Sequence, residues 1–413
     1  TTPPACTSGM ATGLPPMSRF IVAHATHPDA GLALALAAAQ VDAQRAARVP
    51  FYTPTLGMVY ITDHFAAHAE ALLADLRQRW PGVAWVGGVG VGILAGGVEY
   101  HDEPALALIL TDLPAGQFQV FSGRQPLDAR LAHTALVHAD PHTHDLAELI
   151  HELAERTATG YLFGGLTSSR TRSLHLAEGV FDGGLSGVAF GAQVPLISRV
   201  TQGSQPVGPT RVITACDNNV VLELDGAPAL PALLADLGVS LEHPQQALAA
   251  MRITLVGLTD SHADPLARGG QFGTDTRVRH LVGIDPGREA IAVADRVQPG
   301  QQLAFCRRDV QAARRDLVRI CTEIREDVEA AEPVASHSAW QPTPGDAGAS
   351  RVAGAIYVSC TGRGGPHFGG ASAEALIVQR ALGDVPLVGF FANGEIARHQ
   401  LYGYTGVLTV FKG

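Results

Sequence analysis

Apolar runs that end in glycine-rich turns recur along this chain, and few folds accommodate that pattern. LGMVYI (56–61) is followed by a helical segment, then VAWVGGVGVG (83–92), then PALALIL (104–110). The same series returns at the other end as GAIYVSC (354–360), a helical segment, VPLVGFFANG (385–394) and TGVLTVF (405–411). These runs are rich in β-branched and aromatic residues and do not alternate with polar ones, so they read as strands buried on both faces. The pattern predicts an α/β protein with mixed (α+β) sheets, built from two related sheet-and-helix units. A partial third copy lies between them, in a helix over 145–158, YLFGGLTSS (161–169) and GLSGVAF (184–190).

Helices are expected from Asp29 onward, over 65–80, over 145–158, over 230–237, over 307–332 and over SAEALIVQRAL, between GAIYVSC and VPLVGFFANG. Leu72, Leu73, Leu76 and Trp80 fall on one face of the second, and Val310, Leu317, Ile320, Cys321, Ile324 and Val328 on one face of the long fifth. From about residue 194 the pattern changes to closely spaced strands and turns. The expected division is a flexible tail over 1–17, one domain over 18–205 and a second over 206–413. ASHSAWQPTPGDAGAS (335–350) reads as a mobile loop within the second.

Charge and composition exclude several functions. A net charge of −10 disfavours nucleic acid or an anionic membrane as partner. Lys412 is the only lysine among 29 cationic residues, so no interior lysine can serve a Schiff base or a nucleotide-binding loop. The five cysteines are dispersed without a CxxC pair, which fits reduced thiols and a cytoplasmic location. No apolar run reaches membrane-spanning length. Gly90-Val91-Gly92-Ile93-Leu94-Ala95 matches a dinucleotide fingerprint, but Gly96-Gly97 and HDEP follow where the helix would have to begin. His138, His142, His144 and His151 crowd together with Asp140 and Asp145, yet their spacing suits a solvated helix face better than a metal site. No hydrolase motif is present, and no catalytic residue is assigned.

The candidate site is the turn after GAIYVSC. Arg363 stands between Gly362 and Gly364, where main-chain N–H groups are accessible and a guanidinium can fork onto an anion. Such an arginine is expected to be solvated and to support no core. Cys360 at the strand end, Phe391, Asn393 and Glu395 on the neighbouring turn, and Tyr404 complete the predicted ligand site. Arg363 would take an anionic end, Asn393 and Glu395 an ammonium, and Phe391 and Tyr404 would form walls.

TGRGG followed by FG, GFFANGEI and LYGYTGVLTVF resemble the C-terminal half of the FIST family, named for F-box and intracellular signal transduction proteins. QPVGPTRVITACDNNVVLELDGAPAL and VGIDPGREAIAVADRVQPGQQLAFCRRD resemble the start of its C domain, and LFGGLTSSRTRSLHLAEGVFDGGLSGVAF the close of its N domain. Where many members carry a polar GCST-type turn, this chain has Gly87-Gly88-Val89-Gly90-Val91-Gly92, without a Cys, Ser or Thr. The resemblance implies a sensory module for a small, partly anionic ligand such as an amino acid. Its output would pass to a separate signalling protein such as a kinase or cyclase. Some members are haem-based nitric-oxide sensors; here His151 and His367 are the nearest candidates for an axial ligand, and no haem is expected. A ligand-free interaction scaffold is the remaining alternative.

Overall fold

The computed structural model describes residues 19–48, 52–260, 276–330 and 352–413, so the expected tail (1–17) and loop (335–350) lie outside the described residues. The first unit contains β1 (Phe20–Thr26), α1 (Ala30–Ala46), β2 (Leu56–Thr62), α2 (Ala69–Arg79), β3 (Ala84–Gly90), a hairpin β4 (Gly92–Ala95) and β5 (Val98–His101), and β6 (Ala105–Thr111). Asp29 caps α1 by accepting from the Leu32 N–H at 2.8 Å. The second contains β7 (Phe118–Phe121), β8 (Thr134–Ala139), α3 (Leu146–Glu155), β9 (Leu162–Leu166), a hairpin β10 (His175–Ala177) and β11 (Val180–Phe181), and β12 (Leu185–Phe190). The third opens with β13 (Leu196–Gln202).

An insertion follows β13: β14 (Ser204–Pro206), β15 (Arg211–Asp217), β16 (Val220–Leu224), β17 (Ala227–Pro228), α4 (Ala229–Leu237), α5 (Pro244–Arg252), β18 (Thr254–Thr259), β19 (Arg277–Asp285), β20 (Ala290–Val293) and β21 (Gln302–Arg308). The third unit then resumes with α6 (Val310–Ala330), β22 (Val352–Cys360), α7 (Ala373–Leu382), β23 (Leu387–Ala392), a hairpin β24 (Glu395–Arg398) and β25 (Gln400–Tyr402), and β26 (Thr405–Lys412).

The units are related, as the sequence pattern predicts, but there are three of them. Each builds a sheet in the order first strand, last strand, second strand, third strand, with the second and third parallel: β1-β6-β2-β3, β7-β12-β8-β9 and β13-β26-β22-β23. None keeps its own hairpin. β4–β5 of the first unit joins β23 of the third, β10–β11 of the second joins β3 of the first, and β24–β25 of the third joins β9 of the second. The exchange runs in a ring, so each sheet is completed by another unit. The glycine-rich GGVGVG run is therefore a passage between sheets: one residue, Val91, separates β3 from β4. Gly92–Ala95 is strand, which removes the helix that a dinucleotide site requires.

Equivalent registers mark the repeat at single-residue level. Gly87 lies opposite Val59, Gly164 opposite Val137, and Gly389 opposite Tyr357. A Cβ at any of the three would collide with the carbonyl oxygen of its partner, so this position admits only glycine. Along the central strands, alternate residues face different cores. Met58, Tyr60, Leu136, Ile356 and Val358 point into one core shared by the three sheets. Val59 and Ile61 face α1 and α2, Val137 faces α3, and Tyr357 faces α6 and α7. Burial on both faces is why these strands read as unbroken apolar runs.

The insertion is a closed barrel. β21, β15, β16, β20, β19 and β18 pair antiparallel in that order, and β18 returns to β21. Its interior is apolar, with Ile213, Val221, Val256, Ile291, Leu303 and Phe305 buried beneath α4 and α5. The sequence reading includes α4 but not α5.

Candidate functional site

Strand β22 ends at Cys360, and the Arg363 N–H turns back to the Cys360 carbonyl at 2.8 Å. That turn sends the Arg363 side chain inward, where it is 1% exposed. The expectation of a solvated turn arginine is corrected: this guanidinium is among the largest fully buried groups in the molecule. Its Nε donates to Glu374 Oε1 at 3.1 Å, its Nη1 donates to the Tyr404 carbonyl at 3.4 Å, and its Cζ lies 5.2 Å from the centre of the Phe368 ring. The same Glu374 oxygen accepts the Tyr357 hydroxyl at 2.6 Å and the Ser359 hydroxyl at 2.9 Å.

Glu395 begins β24 and is fully buried next to this pair. Its Oε2 accepts the Thr405 N–H at 3.1 Å and the Thr405 hydroxyl at 2.7 Å. Glu99, on the hairpin lent by the first unit, meets the start of α7. It accepts the Ala375 N–H at 2.9 Å, the Gly365 N–H at 3.2 Å, and His101 at 3.2 Å. Two buried carboxyl groups, Glu374 and Glu395, thus adjoin one buried guanidinium, and a third, Glu99, is brought to the start of α7 by another unit.

The cluster is incompletely bonded. Arg363 Nη2, Glu374 Oε2 and Glu395 Oε1 are buried polar atoms without a hydrogen-bond partner. Gln202 Oε1 and Ser204 Oγ share that condition and flank Gly203, where a Cβ would stand 3.1 Å from Arg363 Nη1. Each such atom costs about 1–3 kcal/mol of lost hydration. Burial pushes the Glu395 carboxyl up to about 8, and also raises Glu374. Burial acts to lower Arg363, but Tyr357 and the two carboxylates hold it above its usual value.

Cys360 is also a poor nucleophile: burial, reinforced by Glu395, pushes its thiol up to about 12. Gly364 is held against Phe391 and His101, with no room for a side chain. Phe391 is a buried core residue whose ring centre lies 4.4 Å from that of His101. Asn393 is not brought to the cluster: its side chain is exposed, while its N–H donates to the Leu166 carbonyl at 3.0 Å. Tyr404 has a left-handed backbone (φ 60°), lies under Arg308 and hydrogen-bonds His280 of the barrel. Gly362 is half-buried between Arg308 and Tyr404.

The barrel roofs this corner. Arg279 donates to the Leu401 carbonyl at 2.8 Å, and Gln202 Nε2 to the Thr276 carbonyl at 3.0 Å. Sequence reasoning missed Glu374, Glu99, Thr405 and His280. Glu374 reads simply as an acidic residue in a helix's first turn, and nothing local marks it as buried.

Family models match along most of the chain: the FIST N domain over 55–227 and the FIST C domain over 229–398. The chain belongs to the FIST family. An uncharacterised protein of Mycobacterium bovis, Mb0898c, is 32% identical over 413 residues, covering 95% of this chain and 98% of its own length. A second, MT0656 of Mycobacterium tuberculosis, is 31% identical over 412 residues, covering 95% and 99%. FIST domains are associated with sensing in signal transduction, and this chain carries the N and C domains in tandem. The sheets do not respect that division, since β4–β5 pairs with β23 and β24–β25 with β9.

Other expected sites disperse. His138 is buried against Tyr60 at 3.0 Å, His142 pairs with Asp140, and His144 with Asp145. Among the described residues no group of His, Cys, Asp and Glu could hold a metal ion. His151 lies on the exposed face of α3 beside Glu155, and burial, with Arg308 and Arg363, pushes His367 down to about 4. Among the described residues no helix is long and apolar enough to cross a membrane.

Proposed function

We propose that this protein is a small-ligand sensor in signal transduction, with its ligand taken into the buried cluster of Arg363, Glu374 and Glu395 beneath the barrel. The observation that carries this reading is the set of three unpartnered atoms of ionisable side chains, Arg363 Nη2, Glu374 Oε2 and Glu395 Oε1, in one buried corner. Native proteins rarely leave such groups unbonded, and a small polar molecule bearing both donors and acceptors would complete them. A zwitterion such as an amino acid has that combination. Gly362 and Gly203 let the backbone approach it, and Phe368 and Tyr404 supply apolar surface.

The role is binding rather than catalysis, because the one thiol in the corner is held protonated and no activated nucleophile adjoins it. The barrel is the element that would report occupancy: it joins the core between β13 and α6 and touches the site through Tyr404 and His280. A separate cytoplasmic signalling protein, such as a kinase or cyclase, would read its position. Native mass spectrometry of freshly purified protein tests the reading. A co-purified small molecule should appear in wild type and disappear in Arg363→Met, whereas the same added mass on both proteins would remove the ligand from this corner.

A further inference from the structure

We infer that the ligand's contact with this cluster is a positively charged nitrogen, so the sensor recognises amines and can dispense with a carboxylate. The inference deepens the proposed function and rests on it. It begins with a charge count. Glu374 and Arg363 neutralise each other through the 3.1 Å contact, and Glu99 faces His101 at 3.2 Å, leaving Glu395 as the carboxyl group of this corner without a counter-ion of its own. An incoming anion would meet a surplus of carboxyl groups around a guanidinium that already has its counter-ion. An ammonium would meet the opposite.

The free valences agree. Two of the three unpartnered atoms, Glu374 Oε2 and Glu395 Oε1, are carboxylate oxygens. Only Arg363 Nη2 is an unpartnered N–H donor among them. An ammonium group brings N–H donors to both of these acceptors, while a carboxylate would bring acceptors to a corner already rich in them. Asn393, the other residue expected to take an ammonium, is outside the corner and exposed. The task therefore falls to Glu395 and Glu374.

The groups facing Glu395 are Cys360 and Arg363 from the end of β22 and its turn, Glu374 from α7, Tyr404 and Thr405 from the approach to β26, and Arg279 from β19 of the barrel. Arg279 is engaged by Asp295 at 3.0 Å and by the Leu401 carbonyl, and Arg363 by Glu374, so neither is a dedicated counter-ion for Glu395. Without an amine, the cheapest neutralisation is a proton on Glu395. With one, the ammonium takes that place and the proton leaves to solvent. Binding is thus an exchange of R–NH3+ for H+. Affinity should rise with pH, roughly tenfold per unit, as long as Glu395 is protonated in the free protein and the amine remains charged.

The test is calorimetric titration of the full chain at pH 7 with four small probes: ethanolamine, glycine, N-acetylglycine and acetate. Each is run in phosphate and in MOPS, neither of which is a primary amine and whose ionisation heats differ. Ethanolamine and glycine should bind, with close to one proton released per molecule, and N-acetylglycine and acetate should not. Glu395→Gln, which keeps the side chain's shape, should lose the proton release and weaken ethanolamine binding at least tenfold. Glu374→Gln serves as a second variant should the first fold poorly. If acetate or N-acetylglycine binds as well as the amines, the charge assignment is overturned while the ligand reading survives. If none of the four binds wild type at 10 mM, both fall.

Discussion

Two corners of this molecule occupy equivalent places and have been finished differently. Both follow the second strand of a unit and both hold an arginine against carboxylates. After β2, Asp63 accepts Arg170 Nε and Nη2 at 2.8 Å each and the Arg170 N–H at 2.9 Å, while Arg170 Nη1 reaches Asp102 at 2.6 Å. The arginine side chain is 52% exposed. Burial acts to raise Asp63, but those bonds hold it below the usual carboxylate range. After β22, Arg363 is 1% exposed, and Glu374 and Glu395 each keep an oxygen without a partner. The first corner is a satisfied clasp between two units. The second is roofed by a barrel inserted into its own unit, and its chemistry is left incomplete. Within one repeated framework, an insertion has turned a clasp into an enclosure.

The framework is the most sensitive part. Gly87→Ala, Gly164→Ala and Gly389→Ala should each destabilise by at least about 3 kcal/mol, because the methyl group meets backbone rather than a movable side chain. Thermal melts of the three should fall together. One tolerant site among them would break the equivalence on which the comparison stands.

Arg363→Ala comes next. It leaves Glu374 buried without its counter-ion, and a loss of about 3–5 kcal/mol is expected in chemical denaturation. This reverses the expectation from sequence, which gave the residue no part in stability. Arg170→Ala should cost only about 1–2 kcal/mol, since water can replace a half-exposed partner. Equal losses at the two arginines would erase the distinction between clasp and enclosure.

Glu395→Gln separates the corners by pH. A carboxyl group whose value rises to about 8 on folding holds its proton more tightly folded than unfolded. Its contribution to stability is therefore fully present below about pH 4.3 and is lost as pH climbs to about 8, at up to roughly 1.4 kcal/mol per pH unit. Glu395→Gln should remove that slope, so the ligand-free variant melts above wild type at pH 9 and close to it at pH 4. Asp63→Asn should act in the opposite sense, losing most stability at neutral pH, where the aspartate is charged and paired.

The smallest effect belongs to the roof. Tyr404→Phe gives up the hydroxyl contact with His280 and should change stability by no more than about 1 kcal/mol. Limited proteolysis within 204–308 should nonetheless quicken, and an unchanged cleavage rate would mean that this contact does not hold the barrel down.

The strands, the long helix α6 and the kinship of the end units were legible because their causes are local. Residues buried on both faces must be apolar throughout, and a position pressed against a neighbouring carbonyl must be glycine. The FIST motifs were legible for the same reason. The partial third copy was visible as well, but the absence of a helix between β7 and β8 and the long segment between β9 and β10 obscured its equality with the others. What the sequence could not carry was partnership. Nothing in GGVGVG says that β4 leaves its own unit for β23, since a strand edge accepts any chain in register. Nothing in TGRGG says that Arg363 turns inward. That outcome depends on Glu374 eleven residues on and on a barrel whose strands span 204–308, both brought over the turn by packing alone. Local chemistry fixed which residues could stand in each position; the fate of charge was decided by what the fold laid on top of it.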